Sequence, residues 1–310
     1  MSCKRIAGRL ILEFAMKTLL LFIASVAGLG LASITARADQ IKIVAAENFY
    51  GGVAAQIAGD SAVVTSILSN PNQDPHEFTT NASTAKAVAD ADIVIYSGIG
   101  YDSWMDKLLS TEGKSNRMII NVSSLIGAKD GDNPHIWYDP RTMPALVDKL
   151  AAILAQRDSA YGDLYQKRAA DFKSSMEPVS AMIEYIKETY PGISVTATEP
   201  VFGYMADSLG FKMLNYDFQV NVMNDTEPSA AQTAAFQKCL TTKAVKMLFY
   251  NSQVTDPTTD RLKKIAQQSS VPIVGVTETQ PPDAKNYVDW MLHELNSVRA
   301  GFAPKLPLRK

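Results

Sequence analysis

Two cysteines in 310 residues exclude a scaffold held together by disulfides, and they exclude any multi-cysteine zinc or iron–sulfur site. Histidine is nearly as scarce, with three in the whole chain. Neither sign of charge dominates: 30 Lys and Arg stand against 32 Asp and Glu, a net charge of −2, so no basic surface invites nucleic acid. There is no short-period repeat, no low-complexity tract and no His-rich loop. What is there is ordinary globular material. Hydrophobic residues make up 46% and charged residues 20%, which rules out a disordered chain. The length suffices for one large or two ordinary domains, each with its own core.

The one long uncharged run, residues 18–36, follows Lys4, Arg5, Arg9 and Lys17 and leads to Ala36-Arg37-Ala38. A basic start, an apolar middle and a small-residue cleavage site define a secretory signal peptide over residues 1–38. The run barely reaches the ~20 residues of a membrane span, and the cleavage site follows it directly, which disfavours an anchor. Either Met1 or Met16 can be the true start; MKTLLLF is the better signal opening. No cysteine stands at the cleavage site, so no lipid is attached there. Removing residues 1–38 leaves 25 basic and 31 acidic residues, a net charge of −6. The expected mature product is soluble, acidic and periplasmic, with Cys239 as its single thiol.

Along this mature chain, two stretches of similar design flank a helical segment. Apolar, β-branched runs fall at Ile41–Ala45, Val63–Ile67, Ile93–Tyr96 and Met118–Val122. Four more fall at Ser194–Thr198, Lys212–Tyr216, Met247–Tyr250 and Ile273–Thr277. Helical patterns lie between them, among others at Ser83–Ala89, Met143–Ala155, Ala230–Leu240 and Asp260–Gln267. Strands alternating with helices predict an α/β protein with mostly parallel sheets. Asp139-Pro140 and Asp256-Pro257 read as N-cap followed by first-turn proline. Between the two halves, Leu164, Phe172, Met176, Val179, Ile183 and Ile186 mark one face of a helix of about seven turns, bent at Pro178. The expected organisation is an N-terminal lobe over 39–160, a single long backbone helix over 161–190 and a C-terminal lobe over 191–310. Such a stiff connector predicts a small closure.

Two of the histidines share a frame: Asp74-Pro75-His76-Glu77-Phe78 and Asn133-Pro134-His135-Ile136-Trp137. Proline fixes its own φ and restricts its predecessor, so each imidazole is presented from a stiff loop. His293 lies instead in an amphipathic terminal helix with Trp290, Leu292, Leu295 and Val298, where a surface role is expected. Glu199 and Glu278 each follow a strand run directly, and ligands of open parallel sheets bind outside the carboxyl ends of strands. Two imidazoles and two carboxylates suit a borderline divalent ion such as Zn²⁺ or Mn²⁺. Asp74, Asn133, Tyr138 and Asp139 are candidates to support the ligands, although helix capping better accounts for Asp139. Trp137 and Phe202 can wall the cleft or belong to the core.

The chain resembles the metal-binding subgroup of periplasmic solute-binding proteins, which deliver zinc or manganese to ABC importers. The resemblance covers nearly the whole mature chain and is carried by IKIVAAENFYGGVAAQIAGD, DPHEF, ADADIVIYSGIGYDSWMDKL, NPHIWYDP, TEPVFGYMADSLG and VPIVGVTET. It implies two lobes joined by one backbone helix, a non-enzymatic carrier with one divalent ion as cargo, and a membrane permease as partner. No nucleic acid is implied, and the protein is expected to act as a monomer. The family's first two ligands fall on His76 and His135 and its third on Glu199. Its fourth is usually an aspartate after the last strand; this chain has Glu278 there, with Asp283 as the alternative. A secreted metal-dependent hydrolase and an adhesin with a structural metal are the rival readings. Thr80 stands where an HExxH motif needs its second histidine, and no G-x-S-x-G elbow occurs.

Overall fold

The computed structural model describes residues 40–70, 78–111, 113–254 and 257–302. These described residues belong to one compact unit. All eight β-branched runs become strands, Ile93–Tyr96 with the expected bounds and the others offset by one or two residues at one or both ends. In the first half β1 (Ile41–Glu47), β2 (Ala62–Leu68), β3 (Ile93–Tyr96) and β4 (Met118–Asn121) form a sheet in the order β2-β1-β3-β4. In the second, β5 (Ser194–Ala197), β6 (Lys212–Leu214), β7 (Leu248–Asn251) and β8 (Ile273–Val276) take the order β6-β5-β7-β8. Every pairing is parallel, with Ile43 opposite both Val64 and Ile93, and Thr196 opposite both Leu214 and Leu248. The two halves thus repeat one doubly wound plan. In each, the chain reverses direction across the sheet at the central strand pair, β1/β3 and β5/β7, which is where such sheets open a ligand crevice.

Local sequence sets the helix starts. Helix α1 (Asn48–Ala58) follows β1 without a loop, while Asn81 caps α2 (Ala82–Ala89) by accepting from the Thr84 amide at 2.9 Å. Helix α3 (Ser103–Leu109) begins beside Asp102, and α4 (Thr142–Arg157) starts later than Asp139-Pro140 suggests. Asp139 is not its N-cap: the carboxylate accepts from the Arg141 amide at 2.9 Å and pairs with the Arg141 guanidinium at 2.6 Å. Asp256 lies outside the described residues.

The connector is two consecutive helices, α5 (Gly162–Ser175) and α6 (Glu177–Thr189), with Met176 between them. The bend expected at Pro178 takes this form because proline has no N–H to donate and crowds the carbonyl four residues back, so the ladder restarts with Pro178 in the first turn of α6. Its buried face runs Tyr165, Ala169, Phe172, Met176, Val179, Ile183 and Ile186, in alternating steps of four and three. Leu164, expected on that face, is 38% exposed; Tyr165 takes the position, its hydroxyl donating to Asp158 at 3.0 Å.

After the connector come α7 (Gly203–Ser208), α8 (Tyr216–Met223), α9 (Ala230–Thr241), α10 (Pro257–Gln268) and α11 (Tyr287–Phe302). A reciprocal Ser229–Gln232 capping box starts α9. One hydrophobic cluster runs from the first sheet (Ile43, Ile93) through the connector (Phe172, Ile183) to the second sheet and α11 (Val195, Phe249, Trp290). Two smaller clusters cover the outer faces of the sheets. Among the described residues no helix is long and apolar enough to cross a membrane.

Candidate metal centre

The side chains singled out from the second half stand at the carboxyl ends of its strands, as the sheet plan requires. Glu199 follows β5 and is 6% exposed; Glu278 follows β8 and is 1% exposed. Asp283, the alternative to Glu278, lies on the surface. His135 comes from the first half, on the loop before a single turn at Ile136–Tyr138, and is fully buried. Its Nε2 lies 4.0 Å from Glu278 Oε1. The structure therefore brings the His135 imidazole up to the Glu278 carboxyl group between the lobes, with Glu199 joined to Glu278 through Asn251. His76, with Asp74 and Glu77, lies outside the described residues. Among the described residues no group of three or more His, Cys, Asp or Glu is set to hold an ion by itself. His293 is exposed on α11, as expected.

The orientation of His135 is built in two steps. Asn133 Nδ2 donates to the Pro200 carbonyl at 2.7 Å, which turns its Oδ1 toward the histidine. That oxygen accepts from the His135 backbone amide at 3.1 Å and from His135 Nδ1 at 2.7 Å. The proton is thereby assigned to Nδ1, and Nε2, facing Glu278, carries the lone pair that a metal ion needs. Trp137 and Tyr101 hold the ring edge-on at 5.3 and 5.9 Å between centroids. Trp137 and Phe202 belong to the core, the latter stacked on Phe249 at 4.7 Å.

The carboxylates are held by groups that the sequence reading did not single out. Asn251, the last residue of β7, donates from Nδ2 to Glu278 Oε1 at 2.6 Å and lies at 3.5 Å from Glu199 Oε2. One amide thus bridges two buried carboxyl groups. Gln253 Oε1 accepts from the backbone amides of Glu278 and Thr279 at 2.7 and 3.0 Å, fixing the loop after β8. Tyr101, from the other lobe, donates to Glu278 Oε2 at 3.2 Å. Asn251 was within reach of the strand-end rule that selected Glu199 and Glu278; Gln253 and Tyr101 carry no comparable signal.

Further bonds tie the lobes around this point. Asn48 Nδ2 donates to the Gln280 carbonyl at 2.8 Å, and the Gln280 amide returns a bond to Asn48 Oδ1 at 3.2 Å. Tyr138 donates to the Thr277 carbonyl at 2.8 Å and Tyr287 to the Trp137 carbonyl at 2.6 Å. Behind the loop, Glu294 on α11 accepts from Trp290 Nε1 at 3.2 Å and from Thr277 Oγ1 at 3.3 Å. Burial pushes its carboxyl up to about 7, although these donors pull it down.

Two doubly wound lobes of one strand order, a helical connector in place of a flexible hinge, and buried nitrogen and oxygen donors between them define a two-lobed binding protein of the α/β class. Comparison with known proteins agrees. The model of the family described as "ZnuA: Zinc-uptake complex component A periplasmic" matches residues 43–301, and the chain belongs to that family. It is 24% identical over 279 residues to the manganese-binding lipoprotein MntA of Halalkalibacterium halodurans, covering 86% of this chain and 89% of that one. It is also 24% identical over 266 residues to the zinc-binding lipoprotein AdcA of Streptococcus pneumoniae, covering 79% of this chain and 52% of AdcA. Among solved structures, the periplasmic zinc-binding protein TroA of Treponema pallidum superposes with a TM-score of 0.72 at 18% identity, over 86% of this chain and all of that one. The manganese-bound periplasmic metal-binding protein of Candidatus Liberibacter asiaticus does so at 0.68 and 20% identity, over 85% and 100%. At such identities these superpositions speak for the fold.

Proposed function

We propose that this protein captures one divalent transition ion, Zn²⁺ or Mn²⁺, between its lobes and hands it to the membrane permease of an ABC importer. His76, His135, Glu199 and Glu278 are the ligands in this reading. The observation that carries it is the approach of His135 Nε2 to Glu278 across the lobes, with Asn251 joining Glu278 to Glu199. Two carboxylates offset the charge of a buried ion, and neutral imidazoles complete a borderline donor set. Four protein ligands leave no open position for a reactive water, so we read the chain as a carrier and not as a catalyst. Named relatives bind manganese in one case and zinc in another, and this donor set accommodates both.

The same reading divides the chain into a signal peptide over 1–38, lobes over 39–160 and 191–310, and a connector over 161–190. Several relatives are named as lipoproteins. Ala36-Arg37-Ala38 offers no cysteine for a lipid, which supports a free protein in the periplasm, and this reading takes it to act as a monomer. Titration of demetallated protein with Zn²⁺ and Mn²⁺ tests the site. The double variant His76→Ala, His135→Ala is expected to lose tight binding of both ions; unchanged affinity overturns the proposal.

A further inference from the structure

A second pair of carboxyl groups lies under the same cleft without taking part in the site. Glu47 ends β1 and Asp102 precedes α3; they are 0% and 1% exposed, and their carboxyl groups are in contact. No Lys, Arg or His among the described residues pairs with either, and a proton shared between the two relieves the cost of burying two carboxyl groups in contact. The donors around them are divided unequally. Asp102 Oδ2 accepts from the Ser97 amide at 2.6 Å and Oδ1 from the Gly98 amide at 2.8 Å. Apart from its own backbone amide, no donor among the described residues serves Glu47, and both its oxygens lack a partner of that kind. Asp102 is therefore placed to be the anion and Glu47 the acid.

The amides that Asp102 holds belong to an uncommon turn. Gly98, Ile99 and Gly100 have φ of 78°, 46° and 86°, three left-handed residues in a row, of which the isoleucine is strained. The turn closes through the Tyr101 amide on the Gly98 carbonyl at 3.2 Å and through Tyr50 Oη on Ser97 Oγ at 2.9 Å. It delivers Tyr101, whose hydroxyl reaches Glu278 in the other lobe. A backbone so strained keeps its shape only if its surroundings over-determine it, and the Asp102 carboxylate, which takes the Ser97 and Gly98 amides, is one such contact.

We propose that Glu47 stays protonated and donates to Asp102, so that one proton shared by two carboxyl groups fixes the turn that aims Tyr101 at Glu278. Glu47 is thus a positioning residue for the cargo site, acting through Asp102 and Tyr101; its link to cargo rests on Glu278 being a ligand. Burial drives the Glu47 carboxyl well above its ordinary range, and the charge of Asp102 drives it further. Burial also raises Asp102, to about 7, against the pull of the Gly98 and Ser97 amides. The other titratable groups facing the pair are Tyr50 from α1, Tyr96 from β3 beside Asp106 of α3, and Tyr101 of the turn; behind them, Tyr287 of the second lobe faces Tyr50 and Glu278 faces Tyr101. None is a cation.

Two measurements test this, one of them independent of cargo. The wild-type-minus-Glu47→Gln infrared difference spectrum of the metal-free protein at neutral pH should carry a carboxylic-acid C=O band, the acid signal of Glu294 cancelling because both proteins keep it; a difference spectrum without that band overturns the proposal. A binding cycle with Zn²⁺ supplies the second. Glu47→Leu, which cannot donate, should weaken affinity by ~10-fold, the scale of groups that support ligands from behind. Glu47→Gln, whose amide donates in place of the acid, should restore it. Tyr101→Phe should weaken it likewise, and Glu47→Leu with Tyr101→Phe should be no worse than either change alone. Additive losses, or a Glu47→Gln variant as weak as Glu47→Leu, overturn the proposal. If Glu47→Leu fails to fold, the infrared comparison decides. A wild type that binds neither Zn²⁺ nor Mn²⁺ would instead sink the cargo reading and leave the infrared result standing.

Discussion

Glu294 offers the sharpest test of how burial is managed in this fold. Its carboxyl sits beneath the loop that carries Glu278, 3% exposed, and titrates near 7 against an ordinary value of 4.5. The folded form therefore binds a proton that the unfolded chain has already lost. The resulting stabilisation is complete below about pH 4.5 and disappears as pH rises through about 7. Over that gap, at roughly 1.4 kcal/mol per pH unit, about 3 kcal/mol of folding stability is at stake. Glu294→Gln cannot titrate, yet it keeps an oxygen for Trp290 Nε1 and Thr277 Oγ1. Urea unfolding of the metal-free wild type and of Glu294→Gln at about pH 5 and about pH 8 gives the comparison. The wild type should lose ~2–3 kcal/mol more than the variant between the two conditions. Because Glu47 and Asp102 titrate in both proteins, their contribution cancels in the difference. Equal losses would refute the claim that Glu294 holds its proton through burial.

Gly203→Ala places a new methyl carbon 2.6 Å from Asn133 Nδ2; pushing that amide off the Pro200 carbonyl releases His135 Nδ1, and Zn²⁺ affinity measured by competition should fall ~10-fold although no ligand changes. Asn133→Ala should cost 10–100-fold in the same assay. Asn48→Ala deletes the reciprocal bonds to Gln280 and should remove ~1–3 kcal/mol in chemical denaturation, with the ligands untouched. Free Zn²⁺ at about 1,000 times its dissociation constant should add ~4 kcal/mol to the apoprotein and raise Tm by roughly 10 °C, an increase that chelator reverses.

The sheets were legible from the chain alone because β-branched runs such as Ile93–Tyr96 are buried on both faces, the habit of central parallel strands. Glu199 and Glu278 followed from the same pattern, since side chains just past a strand project into the crevice. The connector was half legible. Its face was read through Leu164 because tyrosine and alanine are weak markers of burial, yet Tyr165 and Ala169 fill the gap between Asp158 and Phe172. The Asp139 cap failed for a different reason: an arginine two residues on out-competed the helix amides for the carboxylate. The least legible layer was the uncharged one. Asn251, Gln253 and Asn133 matter through which way an amide points, and that is decided by partners 25 to 67 residues away.

The cluster of apolar side chains that passes unbroken from Ile43 through the connector to Trp290 makes the two lobes inseparable. A fragment ending near residue 160 would leave one side of that interior facing solvent, and calorimetry of the intact chain should show one melting event in place of two. Evolution working on such a frame is free to exchange the loops beyond the strand ends, and so the ion selected, but not to shuffle half-molecules between relatives.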